Sequence, residues 1–396
     1  MKLIDRKMYL NKMIDVIGTP DIKVITGVRR SGKSKLLESF INYLISVDKD
    51  CNIIHIDFNL TDYESLLEYH ALEKYIESKY INNVNNYILI DEVQMCEDFE
   101  KAINSLHAKA KYDIYITGSN AFFLSSDLAT LFTGRNFEIK VYPFSFKEYF
   151  EYYNLSDQYV AFGSYIKEGG MAGSYLYKNI DDKLDYIKNV YETLIVRDIK
   201  DKYRIKYPVL LDKITNYLMD NISNLTSTRK IADVLTNNKE NINHKTVGKY
   251  IEYLCNAFAF YKFKRYDING KKYLASTDKY YLVDHSFKFA KLGTKNMDYG
   301  RTLENIVAME LLRRGYEVYV GVLYKKEIDF VAIKRNEKFY IQVADNIINQ
   351  ETFDREVSPL LQIRDAYPKI LISRTSNEEY QYEGIKIIDI ADWLLK

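Results

Sequence analysis

The sequence predicts an α/β protein: a parallel sheet over roughly its first 140 residues, a helical middle region, and a small α/β region at the C-terminal end. Three observations predict it. Short, continuous apolar runs rich in β-branched residues alternate with amphipathic stretches up to Lys140, the pattern of strands buried on both faces and linked by helices. From Pro143 to about Ile222 the periods become helical and rich in Tyr, Lys and Asp. Beyond Gly300 a single helix leads into segments of alternating polarity.

The first runs are Ile22 to Thr26, Ile53 to Phe58, Tyr87 to Asp91 and Tyr115 to Gly118, each long enough for one strand. Asn224 to Ala275 reads as two or three short helices followed by a hairpin turning at Asp267-Ile268-Asn269-Gly270. The tail places a helix at Arg301 to Arg314, strands at Glu317 to Val322, Glu327 to Ile333, Lys338 to Val343 and Lys369 to Ser373, then a closing strand and helix. The expected domains are residues 1–145, 146–222, 223–290 and 291–396.

The chain has 396 residues, 56 Lys or Arg against 55 Asp or Glu, and 47% hydrophobic residues. That balance excludes a globally basic nucleic-acid coat and an acidic tail protein, but leaves room for a local basic patch. No run of 18 apolar residues occurs, so no membrane span is expected. Cys51, Cys96 and Cys255 are far apart and odd in number, which fits a reducing cytoplasm better than a disulfide framework. The five histidines are dispersed, and no zinc site is expected.

G-V-R-R-S-G-K-S, Gly27 to Ser34, fits G-x-x-x-x-G-K-[ST], follows a predicted strand and opens a predicted helix. Its glycines let backbone N–H groups turn inward, and the helix N-terminus adds its dipole at the same spot. Gly27, Val28, Arg29, Arg30, Ser31, Gly32, Lys33, Ser34 and Lys35 are therefore expected to cradle the phosphates of ATP. Lys33 would supply a point charge to the β- and γ-phosphates, and Ser34 a hydroxyl ligand for Mg²⁺. Asp91 and Glu92 end an apolar strand 58 positions after Lys33. They read as a Walker B element, Asp91 serving the metal and Glu92 accepting the proton of the attacking water. The strand 53–58, between the two motifs in sequence, suggests a strand inserted between them in the sheet.

T-G-S-N, Thr117 to Asn120, ends another strand, and Asn120 (or Ser119) is a candidate for positioning that water. Fifteen residues further, Arg135 in L-F-T-G-R is a candidate finger for a neighbouring subunit. Together with V-Y-P-F-S-F-K-E-Y, these motifs resemble those of a large group of prokaryotic AAA+-like P-loop ATPases that carry a C-terminal domain of unknown function. The resemblance continues through E-G-G-M (168–171), Y-E-T-L-I-V-R-D-I (191–199), K-Y-Y-L-V-D (279–284) and E-I-D-F-V-A (327–332), with Ala172 where that group often has proline. It implies ATP binding and hydrolysis, a winged-helix segment and a nuclease-like tail.

Asn224 to Ala275 holds ten Lys or Arg against four Asp or Glu. Two helices, with Val247, Ile251 and Leu254 on one face of the second, and a basic hairpin match a winged helix. His244, Lys245, Thr246 and Lys249 would face a DNA groove, and Lys264, Arg265, Lys271 and Lys272 would reach phosphates. A lid or protein-docking module is the alternative. In the tail, Glu304, Asp329 and Gln342 resemble the acidic core of PD-(D/E)xK nucleases, but Ala344 stands where the lysine belongs. A degenerate, restriction-endonuclease-like fold is expected, with Lys334, Arg335 or Lys338 as possible substitutes. The expected function is a cytoplasmic Mg²⁺-dependent ATPase moving its C-terminal modules; a nucleotide-switched DNA-binding or signalling protein and an ATP-dependent nuclease are the alternatives. ATP, DNA, a protein partner or a second copy are the expected partners.

Overall fold

The computed structural model describes residues 4, 6–118, 131–132, 134–236, 242–270, 272–293, 298–324 and 326–396. Asn120, Ser119 and Lys271 lie outside the described residues. The chain divides into two compact units, Met1–Tyr142 and Pro143–Lys396.

The first unit runs α1 (Lys7–Asp15), β1 (Ile22–Thr26), α2 (Lys33–Val47), β2 (Asn52–Asp57), α3 (Tyr69–Ser78), β3 (Asn86–Asp91), α4 (Phe99–Ala108), β4 (Asp113–Thr117) and β5 (Asn136–Lys140). Its five strands are all parallel, in the order β2-β3-β4-β1-β5. Every residue of β1 and β3 is buried, as continuous apolar strands covered on both faces must be. Ile22, Val24, Ile88, Ile90, Ile114 and Ile116 pack with Leu72 and Ile76 of α3 and Ile103 and Leu106 of α4 in one core.

The strand between β1 and β3 in space is β4, and β2 takes the outer edge. A strand is thus inserted between the two motif strands, as expected, but it is β4 and not the strand at residues 53–58. β2 exposes His55 and half-buries Asn52, Ile53 and Asp57, whereas Ile114 to Thr117 of β4 are all buried. A strand so fully buried needs a neighbour on each side.

The second unit opens with helices α5 (Phe146–Tyr153), α6 (Gln158–Glu168), α7 (Ile180–Ile195), α8 (Pro208–Asp220), α9 (Thr228–Thr236) and α10 (His244–Asn256). Polar caps start several of them. Ser145 and Glu148 form a capping box on α5, and Asp157 and Asn243 accept the first N–H groups of α6 and α10. There follow β6 (Phe260–Asp267), β7 (Lys272–Leu282), α11 (Ser286–Leu292), α12 (Tyr299–Arg313), β8 (Glu317–Leu323), β9 (Lys326–Lys334), β10 (Glu337–Ala344), α13 (Gln350–Leu361), β11 (Lys369–Ser373), β12 (Tyr380–Tyr382), β13 (Ile385–Asp389) and α14 (Ile390–Leu395). The strands form one mixed sheet, β12-β13-β11-β10-β9-β8-β6-β7. β6 lies parallel to β8, so the hairpin β6–β7 is continuous with the strands of the tail. No described helix is long and apolar enough to cross a membrane.

Candidate functional site

β1 ends at Thr26, whose carbonyl accepts from Val141 N–H at 2.7 Å. That pairing carries the backbone of Val141 directly over Gly27. A Cβ at Gly27 would lie 2.2 Å from the Val141 carbonyl oxygen, so only glycine fits. The loop then passes through Arg30, at φ 65°, and Gly32, at φ 94°, and turns into α2. The first N–H groups of α2 have no carbonyl of their own helix to donate to and face the loop.

Ser31 is buried, and its hydroxyl has no hydrogen-bond partner among the described residues. Arg30, Ser34 and Lys35 are exposed, and Arg29 is half-buried. Lys35 pairs with Glu38 on the outer face of α2, so its contribution to an anion would come from its backbone. Lys33 is buried and folds over the loop, donating to the carbonyls of Gly27 at 2.9 Å and Val28 at 3.3 Å. Behind the loop, Arg6 donates to the Ser31 carbonyl at 2.7 Å and to the Tyr142 carbonyl at 2.8 Å, with its guanidinium over the ring of Tyr9.

β1, β4 and β3 are adjacent and parallel, with Ile25 opposite Thr117 and Ile116 opposite Ile90. Their carboxyl ends therefore align at one edge of the sheet, where ligands of open α/β sheets bind. This alignment brings Asp91 and Glu92 to the same edge as the loop 27–34. Asp91 is buried and accepts from the Thr117 hydroxyl. Glu92 takes a left-handed backbone (φ 55°, ψ 47°), donates its N–H to the Thr117 hydroxyl at 3.1 Å, and accepts from the Gln94 amide through its carboxylate. One hydroxyl thus ties both acidic residues to β4.

Arg135 does not join them. It precedes β5, and its carbonyl accepts from Ile22 N–H at the opposite end of β1. Four residues of strand, about 13 Å, separate that end from the loop.

In the second unit, Glu304, Asp329 and Gln342 do come together. Asp329 N–H donates to Gln342 Oε1 at 3.2 Å, and Glu304 is linked to Asp329 through Lys279. The expected substitutes are engaged elsewhere: Lys334 donates to the Arg314 carbonyl at 2.7 Å, Lys338 lies among the rings of Tyr266, Tyr340 and Tyr367, and Arg335 occupies the turn after β9 at φ 52°. Sequence reasoning missed Lys279 and Glu327. Strand alternation could have found them, since Lys279 shares a face with Tyr281 and Glu327 with Asp329. On α10, His244, Lys245 and Lys249 are exposed and Thr246 is half-buried; on β6, Lys264 is exposed and Arg265 half-buried.

Residues 19–150 match the family described as AAA domain, and residues 160–298 match a domain of unknown function (DUF8612). An uncharacterized protein of Haemophilus influenzae is 39% identical over 400 residues, covering 100% of this chain and 99% of its own. An uncharacterized protein of Methanocaldococcus jannaschii is 28% identical over 378 residues, covering 90% of this chain and 82% of its own. Among solved structures, a Walker-type ATPase of Pyrococcus abyssi superposes with a TM-score of 0.49 at 16% identity, covering 73% of this chain and 95% of that one.

Proposed function

We propose, on the premise that this chain belongs to one family with its uncharacterized Haemophilus influenzae relative and carries an AAA-domain match over residues 19–150, that its first unit binds ATP and hydrolyses it to ADP and phosphate. The observation that carries the reading is the alignment of the loop 27–34, Thr117, Asp91 and Glu92 at one sheet edge, with β4 between β1 and β3.

The loop and the first turn of α2 would hold the phosphates through backbone N–H groups, aided by the helix dipole. Lys33 would exchange the carbonyls of Gly27 and Val28 for phosphate oxygens, gaining a charged partner for two neutral ones. Mg²⁺, when bound, neutralises charge developing between the phosphates; the Ser34 hydroxyl and the Asp91 carboxylate are the hard oxygen donors that would hold it. Glu92 accepts a proton from water as the water oxygen bonds to the γ-phosphorus. The bond from that phosphorus to the bridging oxygen then breaks, its electron pair leaving with ADP. Asn120 and Ser119 are candidates for positioning the water. Arg135, remote from its own loop, would serve only on another subunit's nucleotide.

The contact between Gln94 and Glu92 favours a second reading, in which the base is held away from water and the protein switches on binding with little turnover. Phosphate release separates the two. Steady release by the native protein, lost in Glu92→Gln with ATP affinity retained and lost in Lys33→Ala with affinity gone, supports hydrolysis. Tight binding without release supports the switch. In either case the nucleotide would act on the second unit, where the exposed cations of α10 make duplex DNA the macromolecule to test by salt-titrated gel shift of the full chain.

A further inference from the structure

Lys279 is a charged residue of β7, the last strand of the second unit's sheet, yet only 3% of its side chain is exposed. Its ammonium lies 2.9 Å from Glu304 Oε1, 2.7 Å from Glu327 Oε1 and 3.5 Å from Asp329 Oδ1. Two elements meet on this one atom of β7: α12 supplies Glu304, and adjacent positions of one face of β9 supply Glu327 and Asp329.

The remaining bonds of the acidic groups point the same way. Glu304 Oε1 also accepts from the Tyr281 hydroxyl at 2.6 Å, and Asp329 Oδ2 accepts from Val343 N–H at 2.9 Å. Gln342 is committed at both ends, accepting from Asp329 N–H and donating to Glu356 at 2.9 Å. A carboxylate at position 342 could not make the second bond, because it has no proton to give. So one oxygen of each acid faces the ammonium, and the neutral amide belongs to the network as it stands.

Burial works against the charge on Lys279, yet the carboxylates of Glu304, Asp329 and Glu327 raise its pKa above the ordinary lysine value. Burial likewise raises Glu304, and raises Asp329 well above the carboxylate range. Removing the ammonium would leave the buried Glu304 and Asp329, and the half-buried Glu327 beside them, crowded without a cation, which is strongly destabilising.

We propose that Lys279 is the permanent counter-ion of this acidic centre, holding the position a divalent cation would need, and that the centre is a metal-independent cross-link of β7, α12 and β9. The same residues that give the tail its nuclease-like appearance are then spent on holding the sheet to its helix. The site takes an internal ammonium in place of a metal, and hydrolysis of nucleic acid is not its work.

The test uses the full chain, with Mn²⁺ alone as the probe and no nucleotide. Electron paramagnetic resonance titration of the native protein and of Asp329→Asn is expected to show the same bound Mn²⁺ in both, and supercoiled plasmid is expected to stay intact with Mn²⁺ or Mg²⁺. Lys279→Met is expected to lower Tm by roughly 5–15 °C, and adding Asp329→Asn to it to recover part of that loss. Mn²⁺ uptake or plasmid cleavage by the native protein that Asp329→Asn removes would overturn the proposal. So would a Lys279→Met protein that melts with the native one. Should Lys279→Met not fold, the comparison of native protein with Asp329→Asn still decides.

Discussion

The guanidinium of Arg6 donates to the backbone carbonyl of Ser31 at 2.7 Å, so a residue from before the first helix supports the phosphate loop from behind. The same group holds the carbonyl of Tyr142, whose N–H in turn donates to the Tyr9 hydroxyl at 3.2 Å. The loop and the last residue of the first unit are thus fastened to one planar, buried cation. A charge-assisted hydrogen bond of this kind contributes about 1.5–3 kcal/mol. Arg6→Ala is expected to weaken ATP binding about tenfold, a change of ~1.4 kcal/mol. Arg6→Lys should fall between, since an ammonium lacks the planar fork that spans two carbonyls. Titration with a fluorescent ATP analogue measures both. Affinities within twofold of native would show that the loop keeps its shape without this support.

Thr117 carries the second prediction. Its hydroxyl donates to Asp91 and accepts from Glu92 N–H, so Thr117→Val keeps the shape of the side chain while orphaning both partners. An unsatisfied buried group costs about 1–3 kcal/mol. Turnover is expected to fall roughly 10- to 100-fold with ATP affinity little changed, since the loop itself is untouched. Thr117→Ser should restore most of the rate. Native turnover in Thr117→Val would show that the hydroxyl does not matter.

Gly170 lies in E-G-G-M, where the second unit closes on itself. Its N–H donates to Asp284 Oδ2 at 2.7 Å, and its carbonyl accepts from Phe144 N–H at 2.8 Å. A Cβ there would meet the Phe144 carbonyl oxygen at 2.2 Å. Gly170→Ala must push backbone aside, at about 1–3 kcal/mol or more. A fall in Tm of roughly 3–10 °C is expected by thermal unfolding. An unchanged melting curve would show that the loop has room the geometry denies it.

Cys96 tests pH dependence. Burial, with Glu68 and other carboxylates nearby, pushes its thiol up to about 12. The folded state thus favours the neutral thiol: the contribution to stability is intact below the ordinary thiol value and is lost as pH rises from there towards 12. At pH 8 only ~10⁻⁴ of it is thiolate, so labelling by a thiol reagent should be far slower in the folded protein than in the denatured one. Mass spectrometry of the labelled peptide checks this. Rapid modification of native Cys96 at pH 8 would contradict it.

Much of the first unit was legible in the chain. The strand I-K-V-I-T, the loop G-V-R-R-S-G-K-S and the pair Asp91-Glu92 are contiguous signals, each written within a few residues and each governed by local backbone chemistry. Strand order was less legible. It depends on which edges stay open to water, and only the burial of β4 against the exposure of His55 on β2 reveals it. Arg6 carried no local signal as a site residue, and alternation put Lys279 on a strand face without naming its partners, for a related reason. Each acts on groups distant in sequence, Arg6 on Ser31 and Tyr142, Lys279 on Glu304, Glu327 and Asp329. A lone basic residue carries no local mark of the partners that folding brings to it.

The parallel pairing of β6 with β8 limits how the protein can be divided. A fragment begun at residue 291 would strip that neighbour away and leave the backbone of Arg265, Tyr266 and Asp267's partners, Val320, Gly321 and Val322, open along a mostly buried strand. Bare, apolar strand edges recruit other copies. Truncation there should therefore yield aggregates, and a fragment that keeps residues 260–282 should stay dispersed.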